Sequence, residues 1–348
     1  MFPVTFARSV IEQHTRMGDG VLDPFAGRGT SLFCARETNR EALGVEINPL
    51  GWIYGRTKLS PAPVDAVIRC VEEVGAAAKG FELAAERLPT FFHHCFSPEV
   101  RSFLLAARLL LKWRTSRTDR TAMAFILSYL HGKIEDGRPS ALSNQMRQTK
   151  AMAPDYSVKW WLENGMADPP RVDPVGFLSQ RIAWRYAKGA PDWGDEAMRL
   201  GDCRSVLPRR RERDARRYAL LLTSPPYRGV TSYYYDQWLR FWLLGEPERP
   251  ILDGRRWKTK FDDAVAYTDL LTRSFKACRR LLTDDAIVYV RTDARPATLD
   301  VTCEVLRAVF PNKTMRCEPA PYSRATQTSL FGDKSQKPGE MDIILSHA

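Results

Sequence analysis

The chain has no apolar run long enough to cross a bilayer. It also has no charged-then-apolar start with a cleavage site, so no secretory signal is expected. Its seven cysteines are scattered without a C-x-x-C pair, which argues for a reducing compartment and against a disulfide framework or a zinc knuckle. Histidine is scarce, and His93-His94-Cys95 is the one metal-flavoured cluster. Adjacent residues face different ways and no second cluster completes a site, so no metal is expected. There is no internal repeat and no low-complexity segment. Acidic charge is also in short supply: 52 Lys and Arg against 41 Asp and Glu give a net charge of +11. A balance of this size points to a polyanionic partner, with a merely soluble basic protein as the bland alternative. Residues 101–190 carry fifteen of the cations and seven of the acids, so +8 of the excess lies there. Trp113, Tyr156, Trp160, Trp161, Trp184 and Tyr186 interleave with that charge, a pattern suited to phosphates and stacked bases.

What is present is globular: 348 residues, 44% apolar and 27% charged, enough for one large or two ordinary domains. Residues 6–16 read as a short helix, broken by Gly18-Asp19-Gly20. Val21 to Asp23 then reads as a strand, Gly27-Arg28-Gly29 as a turn and Ser31 to Arg36 as a helix. Ala42 to Glu46 is a second strand. Two strands joined by one helix make a βαβ unit and hence a parallel sheet. Pro61 and Pro63 mark a change of composition near Leu59. Beyond them, 64–88, a stretch opened by the Ser97-Pro98 cap, 121–131 and 177–188 read as helical, whereas 135–176 is rich in Gly, Pro, Asn and Gln and is expected to be mostly loop. We read 60–195 as a helical insertion in an α/β domain formed by 1–59 and 196–348. In that domain 197–202, 218–222, 286–290, 314–317 and 341–345 are strands, 233–244, 263–282 and 296–309 are helices, and 246–260 and 319–340 are mobile connections. The run Arg209 to Arg217 fits a solvated face as well as a phosphate contact.

Two stretches carry chemistry. In the first, Gly27 and Gly29 let the backbone pass close to a ligand, and the helix start behind them offers free N–H groups. A lone G-x-G fits a dinucleotide, a nucleotide or nothing. Glu46, at the end of the second strand, suits an acid that bonds ribose hydroxyls. The third glycine of a dinucleotide fingerprint is missing, and Asp23 would repel a pyrophosphate, so a cationic ligand fits better. The second stretch, Thr223-Ser224-Pro225-Pro226-Tyr227, follows the apolar run 218–222. Its paired prolines forbid helix and ladder, leaving a stiff turn with a hydroxyl before it and a ring after it. At the carboxyl edge of a sheet such a turn can hold a planar polar group such as a nucleobase; a proline-stiffened surface turn is the alternative.

Together, Asp23-Pro24-Phe25-Ala26-Gly27-Arg28-Gly29-Thr30 and Thr223-Ser224-Pro225-Pro226-Tyr227 resemble the cofactor and catalytic loops of the amino-methylating DNA methyltransferases, over about 1–55 and 197–348. The resemblance implies a Rossmann-like S-adenosylmethionine-dependent methyltransferase sheet with a large, mostly helical insertion. It implies S-adenosyl-L-methionine as cofactor, held by Phe2, Pro3, Thr5, Asp23, Pro24, Phe25, Ala26, Gly27, Gly29, Thr30, Glu46, Ile47, Asp202, Cys203 and Ser224. It implies catalysis by Ser224, Pro225, Pro226 and Tyr227. The Ser-Pro-Pro-Tyr form is most similar to the cytosine-N4 enzymes, with adenine-N6 methylation, an RNA substrate and an inactive nucleic-acid binder as alternatives. Cytosine-C5 chemistry needs a cysteine nucleophile, typically in a Pro-Cys pair, and none occurs. The insertion between the two motifs is then expected to recognise the target in double-stranded DNA, with Asn144, Gln145, Arg147, Lys150 and Arg228 as DNA contacts. Asn and Gln match adenine edges and Arg matches guanine. A cognate restriction endonuclease as partner and a cytoplasmic, nucleoid-associated location complete the expectation. The cofactor motif lies so near the start of the chain that a few residues upstream are expected to be missing.

Overall fold

The computed structural model describes residues 3–194, 197–207, 218–229, 233–251, 261, 263–320 and 339–347. Phe2, the 209–217 charge run, most of 246–260 and most of 319–340 lie outside the described residues. The chain divides into two units, one of residues 1–59, 193–231 and 260–348, the other of 60–192 and 232–259.

The first unit is built on a seven-stranded sheet: β1 (Gly20–Asp23), β2 (Glu41–Glu46), β3 (Met198–Leu200), β4 (Tyr218–Thr223), β5 (Leu282–Asp293), β6 (Lys313–Pro319) and β7 (Glu340–His347). Their order across the sheet is β3-β2-β1-β4-β5-β7-β6. The first five pair in parallel, and β7 runs antiparallel between β5 and β6. This is the Rossmann-like methyltransferase sheet expected from the motifs. Strand order reverses beside β1, so the crevice between β1 and β4 is where an open sheet of this kind takes its ligand. The central strands read as unbroken apolar runs because helices cover both faces. Alternate residues go to opposite sides. Val21, Leu220 and Leu222 pack under α1 (Val4–His14) and α2 (Thr30–Glu37). Leu22, Leu221, Val288 and Val290 pack under α4 (Ala264–Arg279) and α5 (Pro296–Val309). A further helix, α3 (Pro49–Leu59), follows β2.

Local chemistry fixes these boundaries. Asp263 caps α4 by accepting from Ala266 N at 2.7 Å, and Pro296 opens α5 where its missing N–H has no partner to lose. Gly44 in β2 leaves no room for a side chain, since a Cβ there would lie 2.6 Å from Leu32 Cδ1.

The second unit is helical. Its helices span Val64–Ala77, Thr90–Cys95, Pro98–Leu110, Arg117–Ser128, Pro154–Glu163 and Pro174–Tyr186, with short ones at Tyr233–Asp236 and Trp238–Leu243. Ser97 caps its helix through Val100 N, as its sequence announces. The stretch 135–176 is mostly loop as expected, except that Pro154 at N1 starts a ten-residue helix that buries Trp161 near its far end. The aromatic run 233–244 departs from a single helix and breaks at Gln237. Trp238, Phe241 and Trp242 are core nonetheless, with the Phe91 ring 4.9 Å from that of Trp238 and the Phe92 ring 4.5 Å from that of Trp242, while Tyr235 is exposed. The segment 232–259 therefore belongs with the helical unit rather than with the sheet, where the sequence reading put it.

Candidate active site

The parallel strands that lead into the two motifs and into Glu46 end at one edge of the sheet, where the antiparallel β7 begins. There β1 ends in Asp23, β2 in Glu46 and β4 in Thr223, while β7 begins at Glu340.

The glycine turn is held open by backbone geometry. Gly27 and Gly29 have φ of +55° and +68°, in the region that favours glycine. Ala26 N donates to Val45 O and Gly29 N to Ala26 O, closing the turn onto β2. Glu46 clasps the turn through one oxygen, which accepts from Gly27 N at 2.7 Å, and the start of α3 through the other, which accepts from Asn48 N at 2.7 Å. A carboxylate has about four lone-pair sites, and those not taken by backbone N–H groups suit hydroxyl donors such as those of a ribose. Burial pushes the Glu46 carboxyl up to about 7, against the pull of the Asn48, Gly27 and Ile47 N–H groups. A Cβ built on Gly27 would meet nothing within 4 Å, so open space adjoins the backbone of the turn. The donor set and the bare turn fit S-adenosyl-L-methionine.

Asp23 is placed differently from expectation. The sequence suggests a carboxylate facing a cationic ligand, whereas the residue is 2% exposed. One oxygen accepts from Phe25 N at 3.1 Å and from Thr223 Oγ1 at 2.6 Å, and the other accepts a short bond from Ser31 Oγ. Burial raises its carboxyl to about 6, with the Ser31, Thr223 and Phe25 donors pulling the other way. The physical reason is position: a carboxylate on the last residue of a fully buried strand meets hydroxyls of its neighbours before it meets solvent. Asp23 is thus a latch between the two motifs, which stand 200 residues apart. Asp202 is also engaged, since its carboxylate receives Arg204 through Nε and Nη2 and caps the turn at Arg204 N. Its neighbour Cys203 is buried, with its thiol on Ser274 Oγ at 3.1 Å. Pro24, Ala26 and Thr30 are buried, Phe25 and Ile47 half-buried, and Pro3 and Thr5 lie exposed at the start of α1.

In the catalytic loop Pro225 is buried, and Ser224, Pro226 and Tyr227 are half-buried. Ser224 Oγ donates to the Tyr227 hydroxyl at 3.4 Å, and that hydroxyl donates to Glu340 Oε1 at 2.8 Å. Behind Glu340, Arg291 sits 4.0 Å from the second carboxylate oxygen. Arg291 also makes a fork-to-fork pair with Asp342, both bonds 2.7 Å, and Tyr289 OH donates to the same carboxylate at 2.8 Å. The Arg291 guanidinium lies 3.4 Å from the centre of the Phe6 ring. None of Glu340, Arg291 and Asp342 was singled out from sequence. They belong to strands far along the chain and carry no local signal beyond an acid or a cation in an apolar alternation.

The expected DNA contacts fare unevenly. Asn144 is 1% exposed. Its amide donates to His94 O and Met166 O, and its oxygen accepts from Gln145 N. Gln145 accepts from Ile134 N through its side chain and from Trp161 Nε1 through its carbonyl. Both are therefore corrected from base contacts to internal scaffolding. Their amides pair with backbone groups that no local pattern reveals. Lys150 forms an ion pair with Asp236 at 2.7 Å. Arg147 has an exposed side chain, while its carbonyl accepts from His131 Nδ1. Arg228 lies half-buried directly after the catalytic loop. Of the interleaved rings, Trp113 and Trp161 are buried in the core, and Tyr186 is tied by its hydroxyl to Ala62 O. Tyr156 and Trp184 remain exposed, at 55% and 62%. His93 and His94 spend ring nitrogens on Leu88 O and Ala167 O, and no metal-binding group of three occurs among the described residues. Among the same residues no helix is long and apolar enough to cross a membrane.

Comparison with known proteins agrees with the first motif. Residues 1–50 match the family model N6_N4_Mtase, described as DNA methylase. A stretch of 48 residues is 44% identical to the Type II methyltransferase M.XycI of Xanthomonas campestris pv. cyanopsidis. That stretch is 14% of this chain and spans 16% of the relative's length. Two structures of the rRNA methyltransferase aviRa from Streptomyces viridochromogenes align over 99% of this chain and 85% of theirs, at 11% and 13% identity and TM-scores of 0.33 and 0.30. The fold rests on the strand order above rather than on that likeness. The amino-terminal segment is thus similar to that of the N6/N4 DNA methylases, a likeness that implies S-adenosyl-L-methionine as methyl donor.

Proposed function

We propose that this protein is a site-specific DNA methyltransferase that places a methyl group on the N4 exocyclic amine of cytosine in duplex DNA. The observation that carries the reading is the Asp23–Thr223 hydrogen bond, which supports one site made of both motifs at the ligand-binding edge of the sheet. S-adenosyl-L-methionine, when bound, supplies a methyl group activated by the sulfonium charge. Gly27 to Thr30 receive it along the bare turn, and the remaining lone pairs of Glu46 take its ribose hydroxyls. The target base leaves the duplex to reach the site. Tyr227 stacks on it, and the Ser224 hydroxyl and Pro225 carbonyl accept hydrogen bonds from the exocyclic amine. These two bonds turn the nitrogen lone pair toward the methyl carbon. Alignment then supplies much of the acceleration, and the nitrogen loses its extra proton after the transfer. The basic helical unit, with Arg147, Tyr156 and Trp184 on its surface, recognises the target. The likeness to the Type II methyltransferase of Xanthomonas supports a Type II setting with a cognate restriction endonuclease, in the cytoplasm beside the nucleoid.

The experiment is mass spectrometry of nucleosides from duplex DNA incubated with the protein and methyl-labelled S-adenosyl-L-methionine. Label in N4-methylcytosine is the expected outcome. Label in N6-methyladenine keeps the fold and the donor and overturns the choice of base, within a family whose model spans both amines. No label in any DNA nucleoside overturns the DNA reading and turns attention first to RNA and then to an inactive binder.

A further inference from the structure

We propose that Glu340 is a positioning residue that sets the direction of the hydrogen bonds at Ser224, so that the serine can only accept from the target amine. The inference rests on the functional reading above. A serine hydroxyl carries one proton and two acceptor lone pairs and turns freely between them. That freedom is a hazard for amine methylation. If Ser224 donates its proton to the amine, it occupies the lone pair that must attack the methyl carbon. If it accepts an amine N–H, it leaves that lone pair available.

The structure removes the choice. Glu340, as an ionised carboxylate, can only accept. The Tyr227 hydroxyl, 2.8 Å from Glu340 Oε1, has one proton and gives it to that oxygen. The Tyr227 oxygen is then left as an acceptor, and Ser224 Oγ, 3.4 Å away, spends its single proton there. What Ser224 presents to a bound base is lone pairs alone. The chain is held from behind, because Arg291 lies 4.0 Å from the second oxygen of Glu340 and is itself fixed by its two bonds to Asp342. Glu340 opens β7 opposite Asp293 at the end of β5, so backbone pairing fixes its place at the edge.

The test separates direction from mere support. Tyr227→Phe keeps the ring for stacking and removes the link. Glu340→Gln keeps the size and length but offers an amide N–H that can reverse the chain. Single-turnover methyl transfer is measured for each on an unmodified target duplex, and flipping and stacking are followed separately by the fluorescence of a duplex whose target base is replaced by 2-aminopurine. Each variant is expected to transfer the methyl group roughly tenfold more slowly, the size of one hydrogen bond's net effect. S-adenosyl-L-methionine affinity and the 2-aminopurine signal should stay within about twofold, since neither the donor site nor the ring is touched. In a Ser224→Ala background, Glu340→Gln should cause no further loss, because there is no hydroxyl left to direct. Wild-type rates in both single variants overturn the proposal. So does a loss from Glu340→Gln that persists in full without the serine, which would assign Glu340 a general structural role. If the unmodified protein methylates no nucleic acid, the functional reading itself falls and this inference with it. If it does methylate and only the variants behave otherwise, the functional reading stands alone.

Discussion

Replacing Asp23 by asparagine should make the sheet unit more stable at pH 8 and leave it nearly unchanged at pH 4. The carboxyl is buried on the last residue of β1 and is pushed from its ordinary 3.8 up to about 6. Its folded state therefore binds the proton more tightly than the unfolded chain does. The resulting stability is fully present below about 3.8 and is lost as pH rises through about 6. A displacement of this size corresponds to about 3 kcal/mol at 1.36 kcal/mol per pH unit. Asparagine is neutral throughout. Its oxygen can still accept from Thr223 and Phe25 N, and its amide can donate to Ser31, whose hydroxyl turns to accept. The variant should thus gain on the wild type by about 3 kcal/mol between pH 4 and pH 8, or roughly 6–12 °C in Tm for a unit of this size. Urea and thermal unfolding followed at half-unit steps from pH 4 to 8 would read it directly. Glu46, raised to about 7 by burial, adds its own decline over 4.5 to 7. The single variant therefore keeps part of the slope, and a Glu46→Gln double variant should flatten it. Parallel wild-type and Asp23→Asn curves across this range would refute the reasoning, because the buried carboxyl would then be no more reluctant to ionise than a free one.

Other perturbations separate the roles of neighbouring residues. Tyr227→Ala should abolish methyl transfer while S-adenosyl-L-methionine affinity, measured by calorimetry, stays nearly intact; wild-type turnover would end the base-stacking role. Gly27→Val should do the reverse and lose donor affinity first, because a β-branched residue is strained at φ +55°. Asn144→Ala should destabilise the helical unit by about 1–3 kcal/mol, since it leaves the carbonyls of His94 and Met166 without their donor. Its DNA affinity per folded molecule should not change, and altered target choice at full stability would restore Asn144 as a base contact. Arg147→Glu should weaken DNA binding and lower the slope of log affinity against log salt by about one. An unchanged slope would place this loop away from the phosphates.

The parts of the molecule that could be read from sequence are those written in consecutive residues. The strand-turn-helix-strand of 20–46 follows from a buried apolar run, two glycines and an acid. Ser97-Pro98 and Pro296 mark helix starts because a cap or a missing N–H acts within one turn. The helix at 154–163 was hidden by its flanks. Glycine, proline and asparagine surround it, and its apolar signal is little more than Trp161 supported by a distant ring. Asn144 and Gln145 look like surface polar residues until their backbone partners, up to 50 residues away, come into place. The Asp23–Thr223 latch and the Tyr227–Glu340 bond are equally silent, because each joins motifs whose proximity exists only once the sheet has formed.

The helical unit is assembled from two separated pieces of chain, and this limits how it can be exchanged between enzymes. The first piece leaves and returns by one narrow doorway, where Trp193 N donates to Leu59 O at 3.3 Å, so on that side a transplant would need only a short join. The second piece supplies Trp238, Phe241 and Trp242 to the unit's own core and sends Arg240 Nε to Leu127 O at 2.9 Å. A graft of 60–192 alone would arrive without those rings and without that guanidinium. A change of target specificity by recombination must therefore move both pieces together, and the second begins within a few residues of the catalytic loop. Swaps that respect one junction and ignore the other should yield misfolded chimaeras rather than enzymes with a new target.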